Sequence, residues 1–130
     1  MKVVLTNSPE ETAALGEAWA REATPGWTIA LCGDLGAGKT TLARAMLKAR
    51  GLAGEAPSPT FAIVQPYAPP EVDLPIAHVD LYRIEDPDEA LELGLDEALD
   101  DAALVVEWPE RLGDDPWPDA LWLSLAFDAG

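Results

Sequence analysis

Three glycines fall within the six positions from Gly33 to Gly38, and Lys39-Thr40-Thr41 follows them directly. Gly33-Asp-Leu-Gly-Ala-Gly-Lys-Thr40 fits the phosphate-loop (Walker A) pattern G-x-x-x-x-G-K-[ST], in which glycines let successive backbone N–H groups converge on a polyphosphate. Upstream, Trp27-Thr-Ile-Ala-Leu-Cys32 is a short unbroken apolar run, suited to a strand buried on both faces and expected to be the central one. Downstream, Lys39 to Arg50 reads as a helix with Leu42, Ala45, Met46 and Ala49 on one face and Gly51 as its stop. Strand, glycine loop and helix in that order restrict the chain to an α/β architecture. The helix would turn its positive end toward the loop.

The rest of the sequence supplies a sheet around this unit. Val3-Val4-Leu5 reads as a strand, and Asn7 or Ser8 then caps a helix opened by Pro9, with Leu15, Ala18 and Trp19 as its apolar face. Phe61 to Tyr67 is a strand that Pro66 assigns to an edge or an end. Ile76 to Asp80 and Leu104 to Glu107 are further apolar strands, separated by an acidic helical region from Pro87 to Asp101 that breaks at Gly94. Leu121 to Phe127 alternates as a last strand. The expected fold is a P-loop NTPase-like three-layer sandwich with a central, largely parallel sheet, built as one domain over residues 1–130.

Charge limits the partners. The formal net charge is -16, and it is uneven: residues 1–50 carry 6 basic and 5 acidic side chains, residues 51–130 carry 2 and 19. Tight nucleic-acid binding by this chain alone is not expected from such a field, and an anionic ligand must be held by the one basic cluster, Lys39, Arg44, Lys48 and Arg50. No apolar run reaches the roughly 18 residues that span a bilayer. The amino terminus lacks an apolar signal-like stretch, and Cys32 is the only cysteine, so a cytoplasmic setting without membrane association or a disulfide is expected. His78 is the only histidine, which leaves no zinc-ligand spacing.

In the glycine loop, Lys39 would reach terminal phosphates and the Thr40 hydroxyl would coordinate magnesium. Asp80 and Glu107 each end a strand, and in a parallel sheet such ends gather beside the loop. Either could hold a magnesium-bound water, and hydrolysis needs both a metal partner and a group that orients the attacking water. Ser58-Pro59-Thr60 places a hydroxyl soon after the phosphate-loop helix, although a turn opening a strand accounts for the tripeptide as well. His78 alternates with apolar neighbours and reads as a packed strand residue rather than a ligand. Arg83 and Arg111, the only basic residues after position 50, suit charge stabilisation and pairing with the acidic helices equally. Trp108 reads as a core or rim aromatic.

Taken together, Gly33-Asp-Leu-Gly-Ala-Gly-Lys-Thr-Thr41, Ser58-Pro-Thr-Phe61, His78-Val-Asp-Leu-Tyr-Arg83, Gly94-Leu-Asp-Glu97 and Glu107-Trp108 resemble the TsaE family in order and spacing over about residues 2–127. The resemblance implies a small P-loop ATPase that serves threonylcarbamoyladenosine formation in tRNA with the partner proteins TsaB and TsaD. It implies ATP held by Gly36, Ala37, Gly38, Lys39, Thr40 and Thr41, magnesium held by Thr40 with Glu107, and functional roles for Thr60, Asp80 and Trp108. By the same resemblance the chain would not transfer the carbamoyl group itself but would reset or activate the TsaB and TsaD assembly through slow, partner-stimulated hydrolysis. Many members continue past the last strand, whereas this sequence stops at Gly130.

Three other functions use the same loop. A small-molecule kinase would close an arginine-bearing lid, for which only Arg83 and Arg111 remain. A GTP switch needs an Asn-Lys-x-Asp guanine reader, and the only Asn is Asn7. A binding module would use ATP for order without hydrolysing it.

Overall fold

A computed structural model describes residues 8–33, 38–53, 64–86, 88, 94–98, 100–112 and 120–125. Among them the elements run α1 (Pro9–Ala20), β1 (Thr28–Gly33), α2 (Lys39–Ala49), β2 (Val64–Tyr67), β3 (Ile76–Asp80), α3 (Leu95–Ala98), β4 (Ala103–Glu107), a 3-10 turn (Pro109–Leu112) and β5 (Leu121–Leu125). The strands form one sheet in the order β2-β3-β4-β1-β5. β3, β4, β1 and β5 are parallel, and β2 pairs antiparallel with β3 at the edge, where Pro66 costs no interior ladder bond. The middle position among these strands belongs to β4 rather than to β1, because antiparallel β2 extends the sheet on the β3 side. β1 is nevertheless flanked on both sides, and Ile29, Ala30 and Leu31 are fully buried, as its unbroken apolar run requires. The expected Val3-Leu5 strand, residues 61–63 of the expected Phe61–Tyr67 strand and the end of the last strand lie outside the described residues.

Alternation along the strands divides the core in two. Ile29, Leu31, Ile76, Ala103 and Val105 face a layer made by α1 and α2, with Leu42, Met46 and Leu47 packed on them. Ala77, Val79, Leu104 and Val106 point the other way, toward Leu81, Ile84 and Leu95 of α3. Sheet and flanking helices thus make the α/β sandwich that the strand-loop-helix order requires.

Ser8 caps α1 by accepting from the Glu11 N–H at 3.2 Å, and Pro9 opens the helix. Its covered side differs from the expected one: Ala18 is exposed, while Gly16 and Ala20 are buried. The reason is the crossing with α2, where a Cβ at Gly16 would run into the Leu42 side chain, so the absence of a side chain brings the two helices together.

Candidate active site

Four chain segments meet at one end of the parallel strands. β1 ends at Gly33, β3 at Asp80 and β4 at Glu107, and the register sets Asp80 beside Glu107 and Glu107 beside Leu31. Gly38 begins α2 over the same end, in a left-handed conformation (φ 106°) that a residue with Cβ rarely adopts, and no side chain caps the helix. Gly38 has no side chain to accept from the first-turn N–H groups of α2, and with the helix dipole these groups make a place for an anion.

Lys39, the first residue of that helix, is buried, with 4% exposure. Its Nζ donates to the Gly33 carbonyl and sits 3.5 Å from the centroid of the Trp108 ring. Trp108 reaches this place because its own backbone is left-handed (φ 60°), a strained conformation for a bulky side chain, at the junction between β4 and the 3-10 turn. The indole also meets the Tyr82 ring at a centroid distance of 5.0 Å, and the Arg111 guanidinium lies 5.3 Å from the Tyr82 ring and 5.9 Å from that of Trp108. Arg111 thus packs on the aromatic rim of the site.

On the acidic side, Glu107 is 2% exposed and bonded at both oxygens. The Thr40 hydroxyl donates to Oε1 at 2.7 Å, and His78 Nε2 contacts Oε2 at 2.6 Å. Asp80 sits at the same sheet end and accepts from the Tyr82 N–H at 2.9 Å. Partial burial holds its carboxyl above the usual carboxylate value; the Tyr82 N–H pulls it down and neighbouring Glu107 adds to the rise. Next to the loop, burial followed by the nearby Glu110 carboxylate pushes the Cys32 thiol up to about 11, against a smaller downward pull from Lys39.

Gly38, Lys39, Thr40, Asp80, Glu107 and Trp108 of the sequence reading are thereby brought together. Thr41 follows in the first turn of α2 with its side chain exposed. Gly36, Ala37 and Thr60 lie outside the described residues. His78 is a buried strand residue as expected, but the sequence reading gave it packing alone and missed its contact with Glu107. The signal was present: His78 precedes Asp80 by two positions and so shares its sheet face. Tyr82 was missed too, since an aromatic after a strand end carries no local pattern.

The oxygen donors at Thr40 and Glu107 suit a hard cation such as magnesium, which ordinarily takes one or two protein oxygens and completes its shell from phosphates and water.

Known proteins resemble the chain throughout its length. A family model described as "Threonylcarbamoyl adenosine biosynthesis protein TsaE" matches residues 6–129. The tRNA threonylcarbamoyladenosine biosynthesis protein TsaE of Rickettsia bellii is 41% identical over 109 residues, covering 82% of this chain and 73% of that protein. Its namesake in Bacillus subtilis is 42% identical over 104 residues, covering 79% of this chain but 63% of the relative. The crystal structure of YdiB from Bacillus subtilis superimposes with a TM-score of 0.72 at 33% identity, over 95% of this chain and 76% of that one. A matching family model, relatives near 40% identity and a shared fold agree, and the chain belongs to the TsaE family.

Proposed function

We propose that the chain binds ATP with magnesium, hydrolyses it slowly, and supports threonylcarbamoyladenosine formation in tRNA together with TsaB and TsaD. The observation that carries this reading is the 2.7 Å bond between the Thr40 hydroxyl and Glu107, which joins the first turn of α2 to the end of β4. A helix start with an open set of N–H donors, a buried lysine and a hydroxyl-carboxylate pair is a fitting set for a triphosphate and its cation. The relatives bear names that refer to the tRNA modification, and TsaB and TsaD enter through family membership.

In this reading Lys39 leaves the Gly33 carbonyl and the Trp108 ring to neutralise the terminal phosphates. Thr40 and Glu107 hold the cation, which when bound offsets the charge that builds on the phosphate oxygens. Asp80 orients the attacking water; its elevated carboxyl makes it a better proton acceptor than an ordinary exposed aspartate. Thr60, which precedes β2 in the sequence, senses the terminal phosphate, and Gly36 to Thr41 hold the rest. Arg111 lies beside the Tyr82 and Trp108 rings, and in this reading a partner completes the charge stabilisation, so hydrolysis alone is slow.

Phosphate release over many turnovers tests this. The chain alone should release phosphate slowly from ATP and at least tenfold faster with TsaB and TsaD, since a supplied arginine can contribute about a thousandfold or more. Equal rates alone and in the assembly would reject partner completion, and transfer of phosphate to a small acceptor would make the chain a kinase.

A further inference from the structure

We infer that His78 is a positioning residue for the metal side of the site: it fixes the Glu107 carboxylate in the one orientation that presents Oε1 to Thr40. The inference rests on the proposed roles of Thr40 and Glu107 in magnesium binding and adds a residue to them. His78 is fully buried in β3, and its Nε2 lies 2.6 Å from Glu107 Oε2. When Glu107 is ionised it only accepts hydrogen bonds, and the contact is then made by a proton on Nε2. Nδ1 has no partner among the described residues. With the proton on Nε2 that atom is a bare acceptor, a smaller penalty than a stranded donor in the same place. The ring is therefore committed to one partner.

A glutamate side chain has three rotatable bonds, and a carboxylate withdrawn from water needs donors at both oxygens. Thr40 serves Oε1 and His78 serves Oε2. These two bonds differ in what a cation does to them. The Thr40 hydroxyl would bring a lone pair to the metal and so draw Oε1 toward the cation, whereas His78 keeps its bond to Oε2. His78 then holds Glu107 in place while Oε1 is recruited. The parallel register supplies the geometry: Asp80 pairs with Glu107, so His78 stands one pleat behind it on the same face and reaches forward to the carboxylate. A partner of this kind to a metal-binding group is ordinarily worth about tenfold to a hundredfold in metal affinity or activity.

The test compares His78→Gln, whose amide nitrogen can occupy the place of Nε2, with His78→Asn, whose amide falls short of Glu107, and with His78→Leu, which fills space without a donor. Binding of the imido analogue of ATP is measured by calorimetry in chelator and across a magnesium series, with thermal unfolding of each protein alongside. The expected result is that His78→Asn and His78→Leu raise the magnesium concentration needed for half-maximal binding by about tenfold or more. Binding in chelator should stay within about threefold of wild type, and His78→Gln should restore most of the magnesium response. If His78→Leu does not fold, the Gln and Asn pair decides alone. A magnesium response that is unchanged in Asn, or equally lost in Gln and Asn while both remain folded, overturns the assignment and leaves His78 a packing residue. Wild-type protein that binds the analogue without regard to magnesium would instead overturn the underlying roles of Thr40 and Glu107, and this inference with them.

Discussion

The two sides of the site are made in different ways. Gly38, Lys39 and Thr40 are consecutive, and their relative positions follow from one left-handed glycine and one helix start. His78, Asp80, Glu107 and Trp108 come from two strands about thirty residues apart, and only the β3-β4 register places them together. A shift of that register by one residue would put the two carboxylates on opposite faces of the sheet. The contiguous side therefore depends on local backbone geometry, whereas the assembled side depends on the buried apolar surfaces of Val79, Leu104 and Val106 that lock the strands. Binding and hydrolysis should accordingly fail separately, the first with the consecutive residues and the second with the assembled ones.

The largest expected effect is on the contiguous side. Lys39→Ala should reduce ATP affinity by about a hundredfold or more, because the phosphates lose their buried counter-charge; calorimetry measures it, and unchanged affinity would remove the contiguous side from nucleotide binding. Next comes the junction between the two sides. Thr40→Val removes the hydroxyl that reaches Glu107 and should raise the magnesium requirement by about tenfold, with less change in binding in chelator. Equal losses with and without magnesium would show that Thr40 supports the helix rather than the cation.

This difference in construction also decides what could be read from the sequence. The buried run of β1, the helix opened by Pro9 with Asn7 or Ser8 as its cap, and the edge or strand end that Pro66 marks in β2 are all local, and each was legible. The pairing of Asp80 with Glu107 was legible only as two acids at strand ends, since one sequence does not specify which strand lies beside which. His78 was legible as buried but not as bonded, because its partner is 29 positions away. Trp108 over Lys39 depends on a left-handed residue immediately before Pro109, a conformation that the residue types there disfavour. The covered face of α1 was misjudged at Ala18 because helix crossing, not side-chain hydrophobicity, selected Gly16.

A smaller effect concerns the Trp108 contact. A triphosphate that draws Lys39 from the indole removes an interaction of about 0.5–2 kcal/mol and should change Trp108 emission. Trp19 and Trp27 border the core between the sheet and the two long helices, Trp122 is exposed on β5, and Trp117, outside the described residues, has no sequence feature that ties it to the phosphates, so Trp108→Phe should abolish the change. A signal that survives the substitution would separate Trp108 from the nucleotide.

The smallest effect leaves turnover untouched and tests how Cys32 on the contiguous side meets Glu110 beyond β4. Its thiol, pushed to about 11 from 9.0, should alkylate with a pH midpoint near 11 in the folded protein and near 9 in urea. The folded pKa is the higher one, so this group's contribution to stability is complete below about pH 9 and is lost as pH rises through about 11. A folded midpoint near 9 would show that the thiol is not withdrawn from water beside Glu110.

Glu107→Ala tests the division between binding and hydrolysis most directly, with ATP affinity in chelator and steady-state phosphate release measured on the same protein. Affinity should stay within about fivefold of wild type and turnover should fall by about a hundredfold or more, since the phosphate-binding donors remain while the cation loses its carboxylate. Normal turnover, or losses of affinity and turnover in equal proportion, would contradict that division.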